Sequence, residues 1–185
     1  MTDPDDHPYP VRLDFTLPAL LVDAARKVVD GHRRRGTRVT VAESCTGGLV
    51  AAALTEVPGS SEVLEASFVV YSNEAKAALG ISSDVLETFG AVSEATAWSM
   101  AQAALKRSDA HLAVAITGIA GPGGGSDRKP VGTVVFARAE RGADPKEVAA
   151  DRKQFGDLGR GGVRLQAALC ALELLMPADG GADAP

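Results

Sequence analysis

The chain has 185 residues, of which 45% are hydrophobic and 23% are charged, the balance of one ordinary globular domain. A core of this size forms without disulfides or a structural metal. The formal net charge of −5 argues against a nucleic-acid partner, which needs a basic face, although it is compatible with a local site for a small phosphorylated ligand.

Several sequence features bear on location and cofactors. The two cysteines, Cys45 and Cys170, lie far apart, which predicts reduced thiols. The N-terminus lacks the pattern of a signal peptide, and no apolar run approaches the roughly 18 residues that span a bilayer. The histidines lack metal-ligand spacing. We therefore expect a cytoplasmic protein without membrane contact or metal.

One domain is predicted over residues 16–176, between flexible segments at 1–15 and 177–185.

The first half of the chain alternates between predicted helices and strands. A helix is expected over residues 18–34, ended near Gly36, with this apolar stripe: Leu20, Leu21, Ala24, Ala25, Val28 and Val29. The arginines at 33–35 would offset its negative end or, alternatively, bind an anion. A strand is then predicted over 38–43, a helix over 46–57, a strand over 68–71 and a short helix over 74–79.

The second half continues the alternation. Ser93 is a good N-cap for a helix that reaches residue 106 with this buried stripe: Met100, Ala101, Ala104 and Leu105. Residues 112–117 form a nearly continuous apolar run, typical of a strand covered on both faces. A glycine-rich loop over 118–132 precedes strands at 133–139 and 147–155, which a turn at 142–145 joins. A last helix over 160–176 has this stripe: Leu165, Ala168, Leu169, Leu172, Leu175 and Met176.

This order of elements predicts an α/β fold. Strands alternating with helices indicate a three-layer α/β/α sandwich. The last two strands have no helix between them, so that one strand should run antiparallel to the others. The expected sheet is therefore mixed and mostly parallel.

The first candidate site is the segment TVAESCTGG over residues 40–48. In open α/β sheets ligands bind beyond the carboxyl ends of strands, where the N–H groups of the next helix are unpaired. Ser44 would stand there as a nucleophile. Alternatively, Ser44 or Thr46 merely caps the helix. Cys45, a small residue after a buried strand, is more typical of packing than of nucleophilic attack.

The second candidate is YSNEAK over residues 71–76, and the third is TGIAGPGGGSDRKPVG over residues 117–132, which includes the glycine-rich loop. A serine nucleophile needs a base, and Lys76 can serve if burial lowers its pKa, with Tyr71 relaying or positioning the proton. The alternative for Lys76 is a solvated surface lysine. The loop matches neither the P-loop nor the dinucleotide fingerprint. Because each segment begins at a strand end, one cleft could collect all three.

Four segments of the chain resemble the CinA C-terminal domain family. They are TVAESCTGGLVAAALTEVPGSS, FVVYSNEAKAALG, FGAVSEATAWSMAQAAL and AITGIAGPGGGSDRKPVGTVVFA, in the family's order and within residues 18–176. Stand-alone members are nicotinamide-nucleotide amidohydrolases, so the resemblance implies deamidation of nicotinamide mononucleotide to nicotinate mononucleotide and ammonia, in pyridine-nucleotide recycling. It implies no metal or organic cofactor.

The resemblance also implies roles for individual residues. Ser44 would attack the carboxamide, with Tyr71 and Lys76 serving activation and proton transfer. Backbone N–H groups around three residues are candidate oxyanion donors: Thr46, Gly47 and Gly48. Three residues of the third candidate segment would shape the nucleotide site: Thr117, Gly118 and Gly121. Arg160 and Arg164 occupy arginine positions of the family's G-D-R-x-x-V-R, here GDLGRGGVR with the G-D displaced, so that a substrate-binding and a structural role of Arg160 are both open.

Two other functions compete with this hypothesis. One is a non-catalytic nucleotide-binding or interaction module linked to competence or DNA damage, and the other is an amidase for another pyridine or small amide. The joint presence of Ser44, Tyr71 and Lys76 favours the enzyme. Alanine-rich helices over 93–106 and 160–176 could pack against a second copy, which makes a homodimer plausible.

Overall fold

The computed structural model describes residues 15–144 and 149–177. The predicted flexible segments fall, apart from Phe15 and Pro177, outside these residues and stay predictions. No helix in the described ranges is both long and apolar enough to cross a membrane. The helices and strands are, in chain order, α1 (Ala19–Arg35), β1 (Val39–Glu43), α2 (Leu49–Thr55), a 3-10 turn (Ser60–Glu62), β2 (Leu64–Val69), α3 (Asn73–Leu79), α4 (Ser83–Phe89), α5 (Glu94–Lys106), β3 (Leu112–Gly118), β4 (Thr133–Glu140), β5 (Ala149–Gln154) and α6 (Gly159–Leu174).

The strands of the described residues form one five-stranded sheet in the order β2-β1-β3-β4-β5. β1 pairs in parallel with β2 and β3, with Glu43 opposite Val69 on one side and Ile116 on the other. β4 pairs antiparallel with both β3 and β5. Only β4 therefore runs against the other strands of this sheet, which confirms the mixed, mostly parallel sheet with one antiparallel strand.

Helices cover both faces of the sheet. One face packs against α1, α2 and α6, and the other packs against α3, α4 and α5. Alternate residues of β3 point to opposite faces. Val114 and Ile116 point toward the first group of helices, whereas Ala113 and Ala115 point toward the second. The predicted three-layer α/β/α sandwich is therefore confirmed, and the apolar run over 112–117 is explained by burial on both faces.

The connections of β1 create a crevice. The chain leaves β1 through α2 on one face and returns as β2; it then crosses the other face through α3, α4 and α5 to reach β3 on the far side of β1. Such a reversal opens a crevice at the carboxyl ends of the central strands, where ligands bind in open α/β sheets. Ser44 follows β1 directly, and Gly118 ends β3.

Some predicted boundaries were wrong. α2 begins at Leu49 rather than at residue 46, because Gly47 and Gly48 have φ angles of 62° and 89°. These left-handed conformations cannot continue into a right-handed helix. β2 starts at residue 64, four residues before its predicted start, and α4 was not predicted. Leu20 and Met176, which belong to the apolar patterns of the first and last predicted helices, are 47% and 37% exposed. Leu20 lies in the first turn of α1, and Met176 lies beyond the end of α6.

Candidate active site

A cleft with a volume of about 170 Å³ opens at the carboxyl ends of β1 and β3. Six predicted site residues meet in its lining: Ser44, Tyr71, Lys76, Thr117, Gly118 and Arg160. Four residues that the sequence did not single out for this surface complete it: Cys45, Ala91, Val92 and Ala120. The four other predicted site residues lie outside this lining: Thr46, Gly47, Gly48 and Gly121. The cleft therefore collects parts of all three candidate segments.

Two backbone hydrogen bonds fix the position of Ser44. Its N–H donates to the Ile116 carbonyl of β3 at 2.9 Å, and its carbonyl accepts from the Gly47 N–H at 3.1 Å. The first bond attaches the turn after β1 to the neighbouring strand, and the second closes the turn itself. The side chain is 7% exposed and lines the cleft. A serine in this position is accessible to a small ligand while its orientation is fixed.

Lys76 lies in α3 and is only 1% exposed, so that the alternative of a solvated surface lysine is wrong. Its Nζ lies 3.1 Å from Ser44 Oγ, 3.2 Å from the Val70 carbonyl oxygen and 3.1 Å from the Tyr71 carbonyl oxygen. Burial penalises the charged ammonium and lowers the pKa of Lys76 from its ordinary value. The residue therefore has both the location and the electrostatic environment of a base.

The partners of Lys76 also decide where its lone pair can point. Carbonyl oxygens only accept hydrogen bonds, and a neutral amine has two protons to donate. When Lys76 is neutral, Val70 and Tyr71 take these two protons, and the nitrogen lone pair faces the Ser44 hydroxyl. When Lys76 is protonated, its third N–H can donate a hydrogen bond to Ser44 Oγ. The three contacts thus accommodate both protonation states of a Ser-Lys dyad.

The hydroxyl of Tyr71 does not take part in this dyad. Among the described residues it accepts a hydrogen bond from Arg160 Nη2 at 2.9 Å, rather than contacting Ser44 or Lys76. The phenol side chain is largely exposed at the rim of the cleft, and the residue holds Lys76 through its backbone carbonyl. Of the two roles predicted for Tyr71, relaying the proton and positioning it, these contacts favour positioning.

Arg160 lies in the first turn of α6 and has structural partners. Its Nη1 donates to the Gly121 carbonyl at 3.0 Å, and its Nη2 donates to the Tyr71 hydroxyl. In the same helix, Arg164 donates to the Thr46 carbonyl at 2.9 Å. The two arginines thus connect the glycine-rich loop and the turn after β1 to α6. Because Arg160 also lines the cleft, its predicted contact with substrate remains a prediction beside this structural role.

Cys45 packs into the core between the sheet and α1, α2 and α6. Burial raises the pKa of its thiol to about 12, so that it is protonated at neutral pH. Only the thiolate is an effective nucleophile, which agrees with the packing interpretation. Within residues 15–144 and 149–177, no group of three or more histidine, cysteine or acidic side chains is placed to hold a metal ion.

Glu43 is a structural residue of the site that the sequence analysis missed. Its buried carboxylate accepts the N–H groups of Gly48 at 3.0 Å, Val50 at 3.2 Å and Ala51 at 2.9 Å. Glu43 therefore caps α2. The signal was an acidic residue at the last position of a buried strand, directly before a glycine turn. Ala91 and Val92 carried no comparable signal.

The cap corrects two expectations for the turn after β1. Neither Ser44 nor Thr46 caps α2, because the carboxylate of Glu43 satisfies the first N–H groups of that helix. Gly48 and Gly47 were candidate oxyanion donors, but their N–H groups already bind Glu43 and the Ser44 carbonyl. The N–H groups of Gly47 and Gly48 are consequently engaged within the turn, whereas the third candidate donor, the N–H of Thr46, stays a prediction.

Glu43→Ala should lower the free energy of unfolding by about 3 kcal/mol or more, because buried N–H groups lose a charged acceptor. Glu43→Gln, which retains one acceptor oxygen, should cost about half as much. Urea denaturation of the three proteins measures both differences. Glu62→Ala is the control: its exposed ion pair with Arg33 should contribute less than about 1 kcal/mol. Equal stability of wild type and Glu43→Ala would contradict the capping role.

Comparisons with known proteins identify the family to which the chain belongs. The model of the CinA C-terminal domain matches residues 22–178. The chain is 46% identical over 156 residues to the nicotinamide-nucleotide amidohydrolase PncC of Escherichia coli K12, covering 84% of this chain and 92% of that protein. It is 49% identical over 142 residues to the protein of the same name from Enterobacter agglomerans, covering 76% and 84%.

Other relatives are longer. A CinA-like protein of Syntrophobacter fumaroxidans is 46% identical over 144 residues, which are 77% of this chain but 33% of that protein. Among solved structures, the competence/damage inducible protein CihA of Agrobacterium tumefaciens is 48% identical with a TM-score of 0.82, covering 86% of this chain and 95% of that one. The chain belongs to the CinA C-terminal domain family.

Proposed function

We propose that the protein hydrolyses the carboxamide of nicotinamide mononucleotide to nicotinate mononucleotide and ammonia. The observation that carries the proposal is the buried contact of 3.1 Å between Lys76 Nζ and Ser44 Oγ. Two relatives with the printed name nicotinamide-nucleotide amidohydrolase support the choice of substrate. The reaction would belong to pyridine-nucleotide recycling in the cytoplasm and would need no metal or organic cofactor.

The first chemical step is attack by Ser44. Neutral Lys76 accepts the hydroxyl proton while Ser44 Oγ forms a bond to the carboxamide carbon, whose C=O electrons move onto oxygen. The resulting Lys76 ammonium then donates a proton to the carboxamide nitrogen as the C–N bond breaks. Ammonia leaves, and an acyl-enzyme remains on Ser44. Water activated by Lys76 hydrolyses this ester and regenerates the serine.

The tetrahedral intermediate needs a donor for its oxyanion, and we assign the N–H of Gly118 to this role. Ile119 donates to the Thr133 carbonyl of β4. Because successive N–H groups of a strand point to opposite sides, that of Gly118 faces β1 and the cleft. A Cβ at this glycine would lie 2.8 Å from the Thr133 carbonyl oxygen, so that the backbone geometry excludes a larger residue. One such donor typically lowers the barrier by about 3–4 kcal/mol.

The size of the cleft suggests how the nucleotide lies. Its volume of about 170 Å³ is below the range of about 300–1,000 Å³ that encloses a drug-sized ligand. The cleft would therefore enclose the carboxamide and part of the pyridine ring, and the ribose phosphate would extend past the mouth. Arg160 lines this cleft and could attract the phosphate through its guanidinium charge.

The test compares ammonia release from nicotinamide mononucleotide and from free nicotinamide. We expect kcat/KM for the nucleotide to be at least about a hundredfold higher, because binding energy of the ribose phosphate is used in the transition state. Similar values for both compounds would indicate an amidase for small amides. No turnover by the folded protein would overturn the proposal in favour of a non-catalytic nucleotide-binding module.

A further inference from the structure

Thr117 is the neighbour of Ser44 in the cleft. Glu43 of β1 is opposite Ile116 of β3, so that the next residues of the two strands, Ser44 and Thr117, lie side by side. Thr117 is 1% exposed and lines the cleft. Its Oγ1 donates to the Ala91 carbonyl at 2.8 Å. The Thr117 hydroxyl therefore lies beside the proposed nucleophile, and its proton is donated to the Ala91 carbonyl.

This hydrogen bond determines what Thr117 can offer a ligand. A hydroxyl has one proton to donate, and a carbonyl oxygen can only accept. As long as Ala91 holds that proton, Thr117 presents only oxygen lone pairs to the cleft. It can then accept a hydrogen bond from a ligand N–H, but it cannot donate one to a ligand oxygen.

The segment that carries the Ala91 carbonyl is itself fixed by side chains. The preceding carbonyl, of Gly90, accepts from Ser93 Oγ at 3.0 Å and from Thr96 Oγ1 at 2.8 Å. The Phe89 carbonyl accepts from Lys129 Nζ at 2.9 Å. Three consecutive carbonyls are thus held by donors from α5, β3 and the glycine-rich loop. Because the two preceding carbonyls are held by other side chains, the Ala91 carbonyl stays in place as the acceptor of the Thr117 proton.

We infer that Thr117 is a specificity-determining residue that accepts a hydrogen bond from the NH₂ of a carboxamide and disfavours a carboxylate in the same place. The inference rests on the proposed function, because the substrate and product of that reaction differ in this group. An amide nitrogen brings protons to the lone pairs of Thr117, whereas a carboxylate oxygen meets them with lone pairs of its own. The cleft would therefore bind the amide and release the acid.

The test measures dissociation constants of nicotinamide mononucleotide and nicotinate mononucleotide by calorimetry, in Ser44→Ala so that the amide is not consumed. Adding Thr117→Val removes the hydroxyl with little change in volume. We expect the amide to bind about tenfold more weakly and the acid to bind equally or more tightly. Thr117→Ser restores the hydroxyl and should bring back most of the preference for the amide.

Thr96→Val is the matched control, since its hydroxyl donates to the neighbouring carbonyl of the same segment but lies outside the lining of the cleft. It should change both dissociation constants by similar factors. The inference is overturned if Thr117→Val also weakens both ligands equally, because Thr117 would then only support this segment. If Ser44→Ala binds neither nucleotide and wild type is inactive, the proposed function fails, and the inference fails with it.

Discussion

Replacing Ser44 with alanine should lower kcat for nicotinamide mononucleotide by at least about a thousandfold, the scale expected for a lost nucleophile. Ser44 Oγ is the side-chain atom that Lys76 Nζ contacts in the cleft. No neighbouring thiolate replaces this nucleophile, because the Cys45 thiol stays protonated. The measurement is ammonia release under saturating substrate, with circular dichroism to show that the variant is folded.

Cys45→Ala is the matched control for the serine variant. It removes the neighbouring sulfur, and we expect kcat to fall by less than about tenfold, from altered packing rather than from lost chemistry. The opposite pattern, an active Ser44→Ala and an inactive Cys45→Ala, would place the nucleophile on sulfur. Similar rates for wild type and both variants would show that neither residue is the nucleophile.

Replacing Lys76 with methionine should also lower kcat by about a thousandfold, because Ser44 loses its base while the side chain keeps similar length. The pH profile is a second expectation. A base acts in its neutral form, so that wild-type kcat/KM should rise with pH through the lowered pKa of Lys76 and level off above it. Residual activity of the variant should lack this rise.

The pH dependence of the free energy of unfolding provides an independent test of the lowered pKa of Lys76. The folded pKa of Lys76 lies below its unfolded value, so that the unfolded chain binds more protons between the two values. The stability of wild type relative to Lys76→Met should therefore increase as pH rises across that window. Lys106→Met, at an exposed position of α5, should change neither activity nor this dependence. A pH-independent difference between wild type and Lys76→Met would contradict the lowered pKa.

Much of the fold could be predicted from the sequence because its signals are local. The apolar run over 112–117 indicated a strand buried on both faces, and both helix layers pack against it. Ser93 was predicted as an N-cap, and its Oγ accepts the Thr96 N–H. The absence of a helix between the last two strands indicated one antiparallel strand, which the structure identifies as β4. Each of these features depends on residues that are close in sequence.

The composition of the site was predicted in part for a related reason. Chemistry-bearing residues at strand ends should gather at one edge of the sheet, and Ser44, Lys76 and Thr117 do line one cleft. This rule says which residues are neighbours, but it gives no direction for a side chain. Relaying and positioning the proton were both open for Tyr71, and its hydroxyl binds Arg160. The candidate oxyanion donors were the N–H groups around Thr46, Gly47 and Gly48, and those of Gly47 and Gly48 are already bound.

The sequence was sufficient to predict the alternation of helices and strands apart from α4, the doubly covered sheet and the small set of residues from which a nucleophile and a base could come. The tertiary structure alone decided that Lys76 is buried, that it reaches a serine 32 positions away, and that Glu43 rather than Ser44 or Thr46 caps α2. The physical reason is that periodicity and capping patterns act within a few residues. Burial and hydrogen-bond direction arise only when β1, β3 and α3 pack together.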